Sequence, residues 1–432
     1  MSRSIVIFTE GTLGDHLPFV ALGSALVRRG HLVTMVVNRA MSRHAEDSGL
    51  DSVVLPDDTH GPDEARRIAS EWNHWISPGR AGCRPREARR ERVLHVEKAR
   101  LLAGLCGKAD LFISTAIRDL PWVVAHVTGV PWITVSLSPG PYSRRSTASS
   151  GRCSETERLE LEGSRELARH VLKSLGRRVP RLPDNWHGFR SPLTLLAVSP
   201  HFSRGCRRGM APGARLLSTG FWFYEDPAWQ KWRPDSRLRR VCEGETTPLV
   251  LAMSSQPIEE PRRVLRAHVE AAALLDRPLV VQRGWAGFSE ADLDGTRGRS
   301  SVVFTGFVPQ NWLFARAACA IVHGGQGSIA RALFEGCPVL VEPFGNDQFF
   351  NALRVLRLGV GAAVHPIHST AQTIARVLRS KVLGRGVRRR AEEIGSRLRR
   401  EDGIGEACRF IEAVMARQLE DSEDGRSGCQ VA

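Results

Sequence analysis

Three short stretches of this chain group acidic, basic and glycine residues in patterns suited to a phosphorylated, hydroxyl-rich ligand. The first is Gly11-Thr12-Leu13-Gly14-Asp15-His16-Leu17-Pro18. Its glycines permit a tight turn and close approach of a ligand, and it presents Asp15 and His16 where either can take a proton. A carboxylate at a helix start also serves as a cap, and both readings stand at this point. The second is Ile321-Val322-His323-Gly324-Gly325-Gln326-Gly327-Ser328-Ile329. An apolar run leads to His323, then a glycine-rich turn opens a helix. Free N–H groups and the helix dipole make such a turn a seat for an anion, and a diphosphate fits it; a tight turn with no ligand is the alternative. The third is Pro343-Phe344-Gly345-Asn346-Asp347-Gln348. Asp347 and Gln348 offer acceptors and donors together, as a polyhydroxy compound requires, though the pair alone also reads as a helix cap. Neither glycine-rich stretch has the GxGxxG dinucleotide spacing, and the second lacks the Gly-Lys-Ser/Thr ending of a P-loop. Dinucleotide chemistry and ATP hydrolysis are therefore disfavoured.

Each stretch follows a short apolar run and precedes a segment of helical spacing, so strand ends must position all three. Residues 5–8 read as a strand, 19–27 as a helix and 32–37 as a second strand, the unit from which parallel sheets are built. Residues 111–114 and 132–137 continue the strands, with a helix over 120–128 between them. After an aromatic, proline-bearing connection at 216–247 the alternation repeats, with strands over 249–253, 279–282, 302–304, 320–323 and 339–342. Helical stretches lie over 261–275, 310–316, 327–335 and 347–357, and residues 376–417 read as one or two basic helices. The expectation is an α/β protein of two Rossmann-like parallel-sheet domains facing a cleft: 1–215, a linker over 216–247, a second domain over 248–400, and a C-terminal helix and frayed tail over 401–432. In open sheets of this kind ligands bind beyond the carboxyl ends of the strands. The linker is expected to pack its aromatics onto one domain. Segments 57–100 and 140–190 are polar, Arg-rich and weakly periodic, and read as insertions on the ligand edge.

Composition narrows the class further. With 432 residues, 42% hydrophobic and 25% charged, the chain is globular rather than disordered or fibrous. The net charge is +15, and all but five of the 61 basic residues are arginine. No zinc-finger spacing, zipper or aromatic RNA-binding signature accompanies that charge, so nucleic acid is not expected as a partner. A basic surface does attract phosphorylated ligands and anionic membranes. The nine cysteines are dispersed with no CxxC pair, which argues for buried reduced thiols over a disulfide framework or a zinc site. No apolar run approaches the roughly 18 residues of a membrane span, and the first apolar stretch is too short for a secretion signal; a cytoplasmic location is expected.

Taken together, these residues resemble the nucleotide-sugar-dependent glycosyltransferases of the two-domain GT-B fold. The nearest likeness is to bacterial enzymes that glycosylate antibiotics and other natural products, relatives of plant UDP-glucosyltransferases and sterol glucosyltransferases. The likeness runs through 11–18, Thr219-Gly220, Gly284-Trp285, Gly306-Phe307-Val308-Pro309-Gln310, His323–Ser328, Gly336-Cys337-Pro338, Asp347-Gln348 and Gly359-Val360-Gly361. It is densest in the second half and almost absent from 57–215. The resemblance implies that the first domain binds the acceptor and the second the nucleotide sugar. Val308 and Gln310 would meet base and ribose, and His323, Gly325, Gln326, Gly327 and Ser328 would hold the diphosphate. Asp347 and Gln348 would bind sugar hydroxyls. Thr12 and Gly14 would line the loop bearing the base, which is Asp15, with His16 the weaker candidate. Ser255 would face the phosphates and Arg283 would steady the leaving group.

Three positions depart from the family pattern. Ser254 stands where a glycine is usual. Arg331 replaces the plant-type glutamate that grips ribose. The partner Asp of a His base would fall near Ser114-Thr115, with Asp119 beyond, but an Asp base needs no partner. The activity implied is inverting, metal-independent transfer of a hexose from a UDP- or dTDP-sugar to a hydroxyl of a small hydrophobic acceptor. No cofactor is implied beyond the co-substrate, and Trp72, Trp75 and Trp122 either line the acceptor pocket or simply pack. A nucleotide-sugar epimerase or hydrolase and a non-catalytic nucleotide-sugar-binding helper are the alternatives. Peripheral membrane contact through the basic helices is a variant of the main reading.

Overall fold

The computed structural model describes residues 2–56, 85–116, 119–139, 155–204, 215–345 and 347–427. The first half forms a seven-stranded sheet from β1 (Ser4–Phe8), β2 (Leu32–Val37), β3 (Asp51–Val54), β4 (Leu111–Thr115), β5 (Trp132–Ser136), β6 (Leu193–Leu196) and β7 (Arg215–Ser218). Its order is β3-β2-β1-β4-β5-β6-β7, every pairing parallel. Helices α1 (Leu13–Arg28), α2 (Arg39–Glu46), α3 (Pro85–Cys106), α4 (Leu120–Thr128) and α5 (Glu155–Ser174) cover its faces. The strands read as continuous apolar runs because both faces are covered: Ile5, Ile7 and Phe8 have no exposed surface. The expected strands are present, but β3, β6 and β7 are additions. Each is only four residues long, too short to show a period in the sequence.

The second half forms a six-stranded parallel sheet from β8 (Leu249–Ala252), β9 (Leu279–Gln282), β10 (Val302–Thr305), β11 (Cys319–Val322), β12 (Val339–Val341) and β13 (Gly361–Ala363), in the order β10-β9-β8-β11-β12-β13. Around it lie α6 (Ser236–Cys242), α7 (Pro261–Leu274), α8 (Gln326–Phe334), α9 (Gln348–Leu358), α10 (Ala371–Val377) and α11 (Arg385–Leu398). The basic C-terminal stretch divides into α10, a π-helical turn at Leu378–Val382, α11, and finally α12 (Gly403–Ser427). Helix α12 crosses back: Ala407, Cys408, Ile411 and Met415 join the core formed by α1, β1 and β2. The five described cysteines, at 106, 242, 319, 337 and 408, are free and buried, as expected for reduced thiols.

The connection between the sheets packs onto both domains rather than one. Trp222 and Tyr224 enter the first domain's core, while Phe221 enters a core shared with the second. Phe223 meets Phe334 with ring centroids 5.0 Å apart, and Trp232 meets Trp312 at 5.2 Å. Alternate aromatics of an extended segment point to opposite sides, so a run of four serves two neighbours. The shared core also takes Leu196, Val198 and Phe202 from the first domain. Among the described residues, no helix is long and apolar enough to cross a membrane.

Candidate active site

In each sheet the order of connection reverses between the first strand and its later neighbour, at β1/β4 and at β8/β11. A crevice opens outside the carboxyl ends of the strands at such a point. The connection after β1 leads into Asp15 in the first turn of α1, and those after β8 and β11 carry Ser255 and His323, so each motif lies at the carboxyl edge of its own sheet.

On the first-domain side, α1 begins just after Thr12. The Asp15 carboxylate accepts the Thr12 backbone N–H at 2.8 Å and its hydroxyl at 3.2 Å. Asp15 therefore does cap its own helix, and it also stays partly exposed, as does Thr12, with Gly14 exposed beside it. His16 lies differently. It has no exposed surface, and its Nε2 is 2.9 Å from Asn38 Oδ1. Asp15 is thus the solvent-reachable group of the two.

On the second-domain side, β11 delivers His323 and α8 begins at Gln326. Gly324 has φ +101°, and a Cβ there would meet Val341 Cγ1 at 2.9 Å and Gln348 Cβ at 3.0 Å, so only glycine suits the bend. Burial pushes the His323 imidazole down to about 4, which keeps it neutral. Its Nδ1, both amide atoms of Gln326 and Asn351 Oδ1 are buried with no partner among the described residues. Buried polar atoms are nearly always hydrogen-bonded, so four unpaired ones about a single turn mark a place for a polar ligand. Gly325, Gly327 and buried Ser328 complete the turn, whose first N–H groups have no helical acceptor.

Asp347 and Gln348 start α9. Gln348 Oε1 accepts the N–H groups of Phe344 and Gly345 at 2.8 and 3.3 Å, and its Nε2 donates to Gln256 Oε1 at 2.9 Å. Its amide thus shapes the preceding loop. Asp347 sits at the domain junction: it is hydrogen-bonded to Asn351 and to Ser138 of the first domain, and it feels the charge of Asp15. Burial raises its pKa, the two hydrogen bonds oppose that, and Asp15 adds to it. The carboxylates of Asp15 and Asp347, one from each domain, are therefore near enough to interact.

The remaining sequence candidates fall around this pair. Ser255 is buried beside Ser254, whose φ of +52° is the left-handed backbone that the usual glycine would supply. The Val308 carbonyl accepts from Gln282 Nε2 at 3.1 Å, and Gln310 Nε2 donates to Gln282 Oε1 at 3.2 Å, so Gln282 organises the segment. Arg283 is turned to Glu290, at 2.8 Å, and lies over the Phe304 ring. Arg331 is buried, pairs with Glu225 of the linker at 2.5 Å and lies 4.0 Å over the Phe223 ring. Trp122 stacks on His126 and meets Phe189 edge-on, which is packing; Trp72 and Trp75 lie outside the described residues, as does Asn346. Sequence reasoning missed Ser138, Gln282 and Asn351. Asn351 alone carried a signal, four residues after Asp347 on the same helix face; its Nδ2 donates to both Asp347 Oδ2 and the Gly324 carbonyl at 3.0 Å, joining two of the motifs.

With the geometry in hand, comparison with known structures decides the fold. The chain superposes on the glycosyltransferase VinC, solved in complex with dTDP, with a TM-score of 0.68 and 17% identity, covering 96% of this chain and 100% of that one. The fold is GT-B. The family model described as "Erythromycin biosynthesis protein CIII-like, C-terminal domain" matches residues 290–403, which span the 323–328 turn, the Asp347 loop and α11. The O-mycaminosyltylonolide 6-deoxyallosyltransferase of Streptomyces fradiae is 27% identical over 94% of this chain and 96% of that protein. The sterol 3-beta-glucosyltransferase of Eremothecium gossypii is 23% identical over 95% of this chain but 34% of its own length; the chain spans about a third of that relative. The resemblance read from the motifs thus extends along nearly the whole chain.

Proposed function

We propose that this protein is a glycosyltransferase of GT-B type acting on a natural product or sterol-like acceptor, and that it transfers a hexose from a UDP- or dTDP-sugar with inversion. The observation that carries the reading is the turn at 323–328, whose buried polar atoms lack partners among the described residues, beside Asp347, which bonds to Ser138 of the other domain and feels the charge of Asp15. In the reaction, the acceptor O–H gives its proton to Asp15 as its oxygen attacks the anomeric carbon. The bond from that carbon to the diphosphate oxygen breaks, and its electron pair leaves with the nucleoside diphosphate. The amides at the start of α8 and the His323 side chain stabilise the charge that develops there, so the mechanism calls for no metal. Asp347 holds sugar hydroxyls, and Asn351 keeps it in register with the diphosphate turn. Val308 and Gln310 meet the nucleoside. The dTDP in VinC and the sugar transfer named for the Streptomyces relative support this class of donor and reaction.

Asp15→Asn tests it. The amide oxygen still accepts the Thr12 N–H, so the helix start survives while the base is lost. Transfer from UDP-glucose or dTDP-glucose should fall by about 10²–10⁴-fold, with UDP affinity in calorimetry unchanged. Full turnover by the variant removes Asp15 from the mechanism. Sugar release equal to that of the wild type with no acceptor present would instead mark a hydrolase.

A further inference from the structure

Helix α3 brings an ammonium group to the base-bearing loop. Lys98 Nζ lies 2.6 Å from Glu10 Oε1, and the two residues are only 4% and 8% exposed. Such a pair is a poor source of stability, because desolvating each ion costs several kcal/mol and apolar residues of equal volume often serve as well. What it does supply is position. Glu10 lies between β1 and Gly11, and Gly11 has φ +137°, where a Cβ would stand 2.3 Å from the Asp15 carboxylate. The carboxylate therefore lies directly against this bend. Other ties hold the loop as well: Thr9 N–H donates to the Val36 carbonyl of β2 at 3.3 Å, Thr9 Oγ1 donates to the Asp15 carbonyl at 2.7 Å, and the Gly11 N–H reaches Asn38 Oδ1 at 3.4 Å. The Glu10–Lys98 pair adds a tie to α3, a helix whose Val96, Ala99 and Leu102 sit in the core with α4 and α5.

We propose that Lys98 is a positioning residue: through Glu10 it fixes the bend at Gly11 and so holds the Asp15 carboxylate toward the acceptor. It couples the acceptor-side helices to the proton-accepting group, and it rests on Asp15 being the base.

Three variants separate this role from a structural one. Lys98→Met removes the ammonium beside the buried Glu10 carboxylate, so it loses stability on either account. The double variant Glu10→Met/Lys98→Met removes both charges of the pair and should recover most of the thermal midpoint. If the pair positions Asp15, its kcat with UDP-glucose or dTDP-glucose and 4-methylumbelliferone as probe acceptor stays down by about tenfold or more. Amide hydrogen exchange over residues 9–17 is correspondingly faster, while UDP affinity by calorimetry and KM for the donor are unchanged. Lys98→Arg, which keeps the charge and the bond, restores turnover. A double variant with wild-type kcat and wild-type exchange overturns the proposal. Should the wild-type protein itself transfer no sugar, the assigned reaction fails, and exchange in the double variant still decides the positioning: faster supports it, unchanged overturns it.

Discussion

His323 shows how one residue can serve a site at some cost to the fold. Burial lowers its pKa to about 4 from an ordinary 6.5, so the folded protein keeps the ring neutral where the unfolded chain protonates it. The sign follows. Below pH 6.5 the unfolded state binds the extra proton, and stability falls until pH drops below about 4, where both states are protonated. Between pH 7.5 and 5 the loss amounts to about 2 kcal/mol. His323→Gln should remove it: urea unfolding of the two proteins should diverge by about that amount as pH falls, in favour of the variant. Parallel curves would mean the ring finds a compensating charge. At this scale the sequence was informative about residue type and poor about direction. It named Asp15, His323 and Asp347, whose chemistry is visible in the side chain. It could not tell that Gln348 turns back on its own loop, that Arg283 pairs with Glu290, or that Ser138 reaches Asp347 across the cleft, because these depend on which chain segments meet.

The turns, rather than the strands and helices, are where elements and function constrain each other. Two of them can be probed in opposite directions. Ser254 holds φ +52° at the exit of β8, a backbone that costs a non-glycine residue about 1 kcal/mol. Ser254→Gly should therefore raise stability by about that amount in chemical denaturation; no gain would show that the serine side chain offsets its own strain. Gly324 is the reverse case. Gly324→Ala forces a Cβ to 2.9 Å from Val341 Cγ1 at φ +101°, and should cost about 2–3 kcal/mol as well as weaken UDP binding. An alanine variant of unchanged stability would mean that α9 shifts to make room. The Gly324 turn was legible in sequence as a glycine cluster after an apolar run, whereas Ser254 stood out only through the family resemblance. Strand β13, Gly361-Ala362-Ala363, escaped notice because its side chains are too small to print a pattern, and it owes its form to pairing with β12.

The whole molecule is closed by its last helix, and this sets which parts unfold together. Although α12 follows the second sheet in sequence, Ile411 has no exposed surface and packs in the first domain's core, and Arg29 pairs with Glu412 at 2.8 Å. Trp222 of the linker donates to the Gly403 carbonyl at 3.1 Å, which ties the crossing point to the domain junction. The exposed Arg29–Glu412 pair contributes little, so the apolar face carries the attachment. Ile411→Ala should cost about 2–4 kcal/mol, and the loss should appear in the first domain. Hydrogen exchange over β1, α1 and β2 should accelerate, while β8 and β11 keep their protection. UDP offers the complementary perturbation: bound at the start of α8, as proposed, it should raise protection in the second sheet by mass action. If Ile411→Ala instead loosens both sheets equally, the shared core of Leu196, Val198, Phe202 and Phe221 makes the two domains one cooperative unit.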